Sequence, residues 1–145
     1  MSGIAEVTLE RAGFRVAARD RRLPGAGLAI AVVAEAVDGR EWCFDVSGAF
    51  TTAGGGLSRA DTLWRCLGRA SVLAARGIAP VVLLTSQLPA PGTTADQALR
   101  SVGPAGFFDA VELLSDGGHA RLAAYAGGRG RPLPGFWTEG DLRAR

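Results

Sequence analysis

At 145 residues, the chain fits a single domain, which at this size buries roughly 70% of its unfolded surface. Hydrophobic residues make up 48% of the chain, yet no apolar run approaches the roughly 20 residues of a membrane span, which indicates a soluble protein with no membrane partner. The net charge is only +2, and all 16 basic residues are arginines. Motifs that require lysine are therefore excluded. The first residues show no signal-peptide pattern, so a cytoplasmic location is expected.

The first part of the chain predicts a helix followed by three strands. Apolar residues at helical spacing, strand-like apolar runs and breaker residues predict, in order, a helix over Ile4–Ala12, a strand over Phe14–Ala18, a turn over Asp20–Gly27, a strand over Leu28–Ala36 and a strand over Glu41–Phe50. Asp38-Gly39 is the signal for a two-residue hairpin turn between the last two strands.

A long amphipathic helix comes next. Ser58, followed three residues later by Asp61, predicts a capped start, and Gly77 predicts the end. Residues at helical spacing predict one buried face, made of Ala60, Leu63, Trp64, Leu67, Ser71 and Ala74. The apolar run Val81–Thr85 follows this helix and predicts a strand that runs parallel to the preceding one through a right-handed crossover.

The remaining residues predict additions to this core. The expected elements are a short helix over Thr94–Ser101, a strand over Phe107–Leu113, a helix over Ala120–Ala126 and an extended segment over Pro132–Trp137 that packs on the body. The expected organisation is one domain over residues 1–145, with a core over 4–86 and a C-terminal extension over 87–145. Cys43 and Cys66 have no metal-ligand spacing, which indicates buried free thiols.

Asp45 is the leading candidate functional residue. It is the single carboxylate of the stretch Trp42–Thr52, in an otherwise apolar part of the strand that ends at a glycine-marked bend. With a two-residue turn at Asp38-Gly39, Asp45 is expected to lie opposite Val32, and Ser47 opposite Ile30, so no acid faces Asp45 across the hairpin. Two structural roles compete with catalysis: Asp45 could cap the bend, or it could pair with an arginine of the following helix.

The order α-β-β-β-α-β and the tripeptide Asp45-Val46-Ser47 resemble the restriction-endonuclease-like, PD-(D/E)xK, superfamily. The resemblance covers Ile4–Ser86 and implies an α/β fold with a mixed sheet. It also implies a Mg²⁺ site held by Asp45 and a second acid, with a basic residue two positions after Asp45 that orients the attacking water. Ser47 stands where the family has its lysine. Glu10, or Glu6, on the first helix is then the expected second ligand.

Arginines of the long helix supply the other candidate site. Arg59, Arg65 and Arg69 could hold phosphates, and Arg65 or Arg69 could replace the charge of the family's lysine. The competing interpretation is a solvated helix face on which Asp61 pairs with Arg65. Trp64 could stack on bases, but its position predicts a core residue, as do those of Trp42 and Trp137.

Three functions remain open from the sequence. The first is a restriction-endonuclease-like domain without a complete metal site and without a cofactor, associated with DNA or with a protein partner in DNA processing or defence. The second is an active Mg²⁺-dependent nuclease with Asp45, Ser47 and Glu10 at its centre. The third is a protein-interaction domain that contacts its partner through the 132–137 segment or the arginines of the long helix.

Overall fold

The computed structural model describes residues 2–47 and 56–143. These residues form an α/β structure with one five-stranded mixed sheet. In chain order the elements are α1 (Ser2–Ala12), β1 (Arg15–Leu23), β2 (Leu28–Glu35), β3 (Glu41–Ser47), a 3₁₀ turn (Gly56–Ser58), α2 (Ala60–Ala75), β4 (Val81–Thr85), α3 (Thr94–Gly106), β5 (Asp109–Glu112), α4 (Asp116–Ala126) and α5 (Glu139–Arg143). The predicted end of a strand at Phe50 and the glycine-marked bend at that end lie outside the described residues.

The strands lie in the sheet in the order of the chain, β1-β2-β3-β4-β5. The first three are antiparallel, whereas β3, β4 and β5 are parallel. All five residues of β4 are buried, because helices cover both faces of a parallel sheet and leave no solvated side. The predicted bounds of β4 and its parallel pairing with β3 are confirmed, as is the element order from α1 to β4.

Two apolar clusters cover the two faces of the sheet. One contains the buried residues of α2 and α3, and the other contains those of α1 and α4. Alternation along β3 divides its side chains between them, with Cys43 in the α2 cluster and Trp42 and Phe44 in the α1 cluster. The face on which a residue of β3 lies therefore decides which helices it can contact.

The edge of the sheet differs from the prediction. Strand β1 continues to Leu23, through residues that were predicted as a turn. Its charged side chains are tolerated because β1 is an edge strand, where they remain in water or pair with neighbours. Arg19 pairs with Glu6 of α1, and Arg21 lies 3.4 Å from Glu41 of β3.

The C-terminal elements also extend further than expected. Helix α4 begins at Asp116 because the Ser115 hydroxyl accepts a hydrogen bond from the Gly118 amide at 2.9 Å. Helix α3 continues to Gly106 through a kink at Gly103, whose φ of 69° lies in the region that glycine favours, immediately before Pro104. Helix α5 was not predicted.

The segment after α4 packs on the body, as predicted. Phe136 and Trp137 are buried, and the Trp137 indole donates a hydrogen bond to the Phe108 carbonyl at 2.9 Å. The same burial removes these two rings from any contact surface, so the 132–137 segment does not present them to a partner. Cys43 and Cys66 are buried free thiols, which confirms the prediction. Across residues 2–47 and 56–143, the helices are too short or too polar to cross a membrane.

Candidate functional site

Asp45 lies in the second half of β3, on the face that is covered by α2. In the parallel ladder Asp45 lies beside Leu83 of β4, and Ser47 lies beside Thr85. Both side chains are buried. A carboxylate in such a place needs hydrogen-bond donors, because an unpaired buried charge costs several kcal/mol.

Arg69 of α2 provides most of those donors. Its Nε donates a hydrogen bond to Asp45 Oδ1 at 2.5 Å, and its Nη2 donates to Asp45 Oδ2 at 3.1 Å. The same Nη2 lies 3.1 Å from Ser47 Oγ, and the Ser47 hydroxyl donates to Asp45 Oδ2 at 2.7 Å. The cluster Asp45–Ser47–Arg69 is thus a bidentate ion pair, to which the Ser47 hydroxyl adds a further hydrogen bond. Pairing with an arginine of the following helix was one of the two structural roles expected for Asp45.

Cys66 lies one turn before Arg69 on α2 and borders the same cluster. Burial raises the pKa of the Cys66 thiol, and the neighbouring charge of Asp45 raises it further. A thiol with a raised pKa stays protonated at neutral pH and is a poor nucleophile. Cys66 therefore packs the site without supplying reactivity.

The cluster does not fit the Mg²⁺ ion that the family resemblance implies. Mg²⁺ needs several oxygen ligands with free lone pairs, whereas both oxygens of Asp45 already accept hydrogen bonds from Arg69. A guanidinium at this distance also repels a divalent cation. In the part of the chain that the structure describes, no group of three or more His, Cys, Asp or Glu side chains could hold a metal.

Glu10 does not join Asp45, contrary to the expected role of second ligand. Helix α1 packs on the opposite face of the sheet, where its Ala5 and Leu9 belong to the cluster of α4. Glu10 itself is exposed. Glu6 is held by Arg19 of β1. The sheet therefore separates both acids of α1 from the Asp45–Ser47–Arg69 cluster.

The hairpin register differs by one residue from the prediction. Glu35 pairs with Glu41 and Val32 pairs with Phe44, and the Ala36 amide donates to the Arg40 carbonyl. Three residues rather than two therefore form the turn. The conclusion drawn from the predicted register holds, because β2 carries a single acid, Glu35, and its partner Glu41 lies at the far end of β3.

No family model, curated protein or solved structure matches this chain. Its function must therefore be argued from the residues and their contacts.

The arginines of α2 and of the residues that flank it have different contacts. Arg69 turns inward to Asp45, so it is not available to a phosphate. Arg76 bonds to the Pro24 carbonyl in the β1–β2 turn. Arg59 and Arg65 remain exposed, and both pair with Asp61, at 3.8 Å and 3.2 Å. Two of the three predicted phosphate-binding residues thus remain available on the surface.

Trp64 lies on the outside of α2, and the prediction that it belongs to the core is wrong. Trp64 is 61% exposed. The buried face of α2 consists of Leu63, Cys66, Leu67, Ala70 and Leu73. Trp42 and Trp137 are core residues, as expected. The N-terminal half of α2 therefore presents an indole ring together with two arginines to solvent.

A second buried ion pair was not found from the sequence. Asp109 of β5 is fully buried, and Arg121 Nε donates to its Oδ2 at 2.9 Å. The Tyr125 hydroxyl donates to the same oxygen at 2.7 Å and accepts from the Leu133 amide at 3.0 Å. The available signal was an acid, Asp109, between the apolar residues of the run 107–111, followed by an arginine and a tyrosine four residues apart.

A cleft of about 450 Å³ lies beyond the carboxyl ends of β4 and β5. Ligands often bind at this edge of a parallel sheet. The charged groups along the cleft already have partners. Arg100 contacts Asp96, Asp141 and the Phe136 carbonyl, and Glu112 accepts a hydrogen bond from the Leu88 amide. These groups join the C-terminal segment to the body and leave few free donors for a ligand.

Proposed function

We propose that this chain is a restriction-endonuclease-like domain that has lost metal-dependent catalysis and binds DNA. The order α-β-β-β-α-β from α1 to β4 supports the family assignment. The change from antiparallel to parallel pairing at β3, where Asp45 lies, supports it as well. The assignment is an analogy of fold and of motif position, so function has to be argued from the site.

The ion pair between Asp45 and Arg69 is the main support for the proposed loss of catalysis. A metal-dependent nuclease needs this carboxylate free for the cation, and it needs a base or a bound hydroxide to attack phosphorus. Arg69 occupies both oxygens of Asp45. The guanidinium also stays protonated and cannot activate a water molecule. The same ion pair instead joins α2 to β3 and stabilises the packing of the helix on the sheet.

Arg59 and Arg65 provide the DNA contact in this proposal. Their side chains are well exposed, and they share the single acid Asp61. Two cations around one anion leave a net positive charge at the start of α2. Arginine contacts to phosphate supply most of the affinity of sequence-independent DNA binding.

The test combines cleavage and binding. The protein is incubated with single-stranded and double-stranded DNA, with and without Mg²⁺ or Mn²⁺, and binding is then measured across salt concentrations. We expect binding without cleavage. The double variant Arg59→Ala/Arg65→Ala should weaken binding and should reduce the magnitude of the log-log salt slope on duplex DNA by about 1.8, from about 0.9 per lost phosphate contact.

The matched control is Arg129→Ala/Arg143→Ala, which removes two exposed arginines that lie outside α2. This control should bind DNA like the wild type. Cleavage that depends on metal and is abolished by Asp45→Ala would instead establish the active nuclease. Absence of any salt-dependent binding would refute the DNA-binding role and leave the protein-interaction domain.

A further inference from the structure

Trp64 is an unusual residue for the outside of a helix. Leaving an indole in water forgoes the stabilisation, on the order of 25 cal/mol per Å² of apolar surface, that burial would supply. Its neighbours four residues away are small: Ala60 precedes it and Gly68 follows it. A Cβ built on Gly68 would meet no atom within 4 Å. The surface of α2 at Gly68, four residues after Trp64, is therefore open.

The charge around Trp64 is positive. Arg65 is the next residue, and Arg59 lies at the N-terminal end of the same helix. Both side chains are mostly exposed, and Asp61 is their shared partner. An aromatic ring flanked by arginines has the composition of the platforms on which proteins stack single-stranded nucleic acids, where bases contact the ring and phosphates contact the cations.

The same neighbourhood does not suit a docked protein. Protein interfaces place their aromatic anchors within a well-packed apolar centre. The other large apolar side chains that are exposed in the described part of the chain lie on other elements: Ile4, Val7, Val37, Val102 and Leu114. Around Trp64 the surface of α2 consists of small and charged residues.

We propose that Trp64 stacks on an unpaired base, while Arg59 and Arg65 hold the flanking phosphates, so that the preferred ligand is single-stranded nucleic acid. The inference rests on the proposed DNA-binding function and specifies that the preferred nucleic acid is single-stranded. In a duplex each base stacks on its neighbours and shows no free face to a side chain on a helix surface. An unpaired base shows a whole face, and every base has one.

The three tryptophans allow a direct test. Trp42 is 1% exposed and Trp137 is fully buried, so acrylamide in solution quenches mainly the emission of Trp64. We expect a 15-nucleotide oligothymidylate to change the emission and to protect it from acrylamide. A duplex of the same length should bind without that protection.

Substitution gives a second measurement. Trp64→Ala should weaken oligothymidylate binding by about 5- to 150-fold, which corresponds to the energy of one base–aromatic stack. Duplex binding should change little, and Trp64→Phe should retain most of the affinity. The control Leu114→Ala removes another exposed apolar side chain, which lies between β5 and α4, and should leave binding unchanged. Thermal unfolding checks that each variant is folded.

The outcomes distinguish this inference from the function on which it rests. Salt-dependent duplex binding, together with oligothymidylate affinity that Trp64→Ala does not alter, would overturn the stacking role and leave DNA binding intact. Failure of both ligands to bind would overturn both. Emission of Trp64 that changes with protein concentration alone would show that a second copy covers the ring, which also overturns the inference.

Discussion

Two aspartate–arginine pairs bind helices to this sheet, one on each face. Asp45 of β3 pairs with Arg69 of α2, and Asp109 of β5 pairs with Arg121 of α4. In both pairs the acid lies on a strand in the parallel part of the sheet, and the arginine lies on the helix that follows that strand. The pairs differ in their access to water, because the Arg69 side chain is 31% exposed and that of Arg121 only 14%.

The difference in access to water distinguishes a purely structural acid, Asp109, from Asp45. Asp109 is enclosed by Arg121, by the Tyr125 hydroxyl and by the backbone of β5, and it has no route to a ligand. The Asp45 pair opens to solvent through Arg69, close to the exposed residues Trp64 and Arg65. A buried acid between apolar strand residues is therefore not by itself a sign of function, since both Asp45 and Asp109 are buried in this way.

Removing Asp109 should have the largest effect on stability. Asp109→Ala leaves the charge of Arg121 buried and the Tyr125 hydroxyl without its acceptor, and we expect a loss of about 3–5 kcal/mol in the free energy of unfolding. Urea denaturation measures this loss. The control Asp116→Ala removes an acid from the exposed first turn of α4 and should cost less than about 1 kcal/mol. A loss at Asp109 as small as that of the control would refute a buried, essential pair.

The same change at the other pair should cost less. In Asp45→Ala the guanidinium of Arg69 can turn towards water, so we expect a loss of about 1–2 kcal/mol. Asp61→Ala, on the exposed face of α2, is the matched control and should cost at most about 0.5 kcal/mol. If Asp45→Ala destabilised the protein as much as Asp109→Ala, the distinction between an open and a sealed pair would be wrong.

The smallest effect concerns pH. Burial raises the pKa of Asp109 above its ordinary value of 3.8, although Arg121 and Tyr125 act in the opposite direction. The folded protein then binds this proton more tightly than the unfolded chain. The resulting stability is fully present below pH 3.8 and is lost as the pH rises through the raised folded value.

Asp109→Asn removes that titration and provides the comparison. The free energy of unfolding of the wild type minus that of the variant should decrease as the pH rises from 3 to neutrality, and then level off. Chemical denaturation of both proteins at a series of pH values measures it. A difference that grows with pH would mean that the pairing with Arg121 outweighs burial.

The sequence predicted those elements in which local pattern and packing agree. The apolar run Val81–Thr85 can be satisfied only by a strand that is covered on both faces, and its bounds were found without error. The order of elements up to β4 followed from the same reasoning. Boundaries failed where single residues decide them, as at Ser115, whose cap begins α4 earlier than the apolar pattern indicates.

Trp64 shows why a helical face can be misassigned. Leu63 and Leu67 belong to two overlapping patterns, one that continues through Trp64 and Ser71, and one that continues through Cys66 and Ala70. Both have helical spacing. Only the packing of α2 on the sheet selects the second, and this information lies in residues distant along the chain.

Ion-pair partners that are distant along the chain likewise could not be predicted from local sequence patterns. Arg69 lies 24 residues after Asp45, and α2 with its two flanking residues offers three other arginines that could have paired with Asp45, namely Arg59, Arg65 and Arg76. The rotation of α2 about its axis decides that Arg69, rather than Arg65, reaches the strand. That rotation depends on side chains of α2, α3 and the sheet together.

The burial of Trp137 has a consequence for the order in which the protein acquires its structure. Its ring stacks on Phe107 at 4.8 Å between centroids and belongs to the same cluster as the buried face of α2. During synthesis, this side of the sheet therefore lacks one of its largest side chains until translation has passed residue 137. Nascent chains that stop short of it would expose apolar surface to chaperones and proteases.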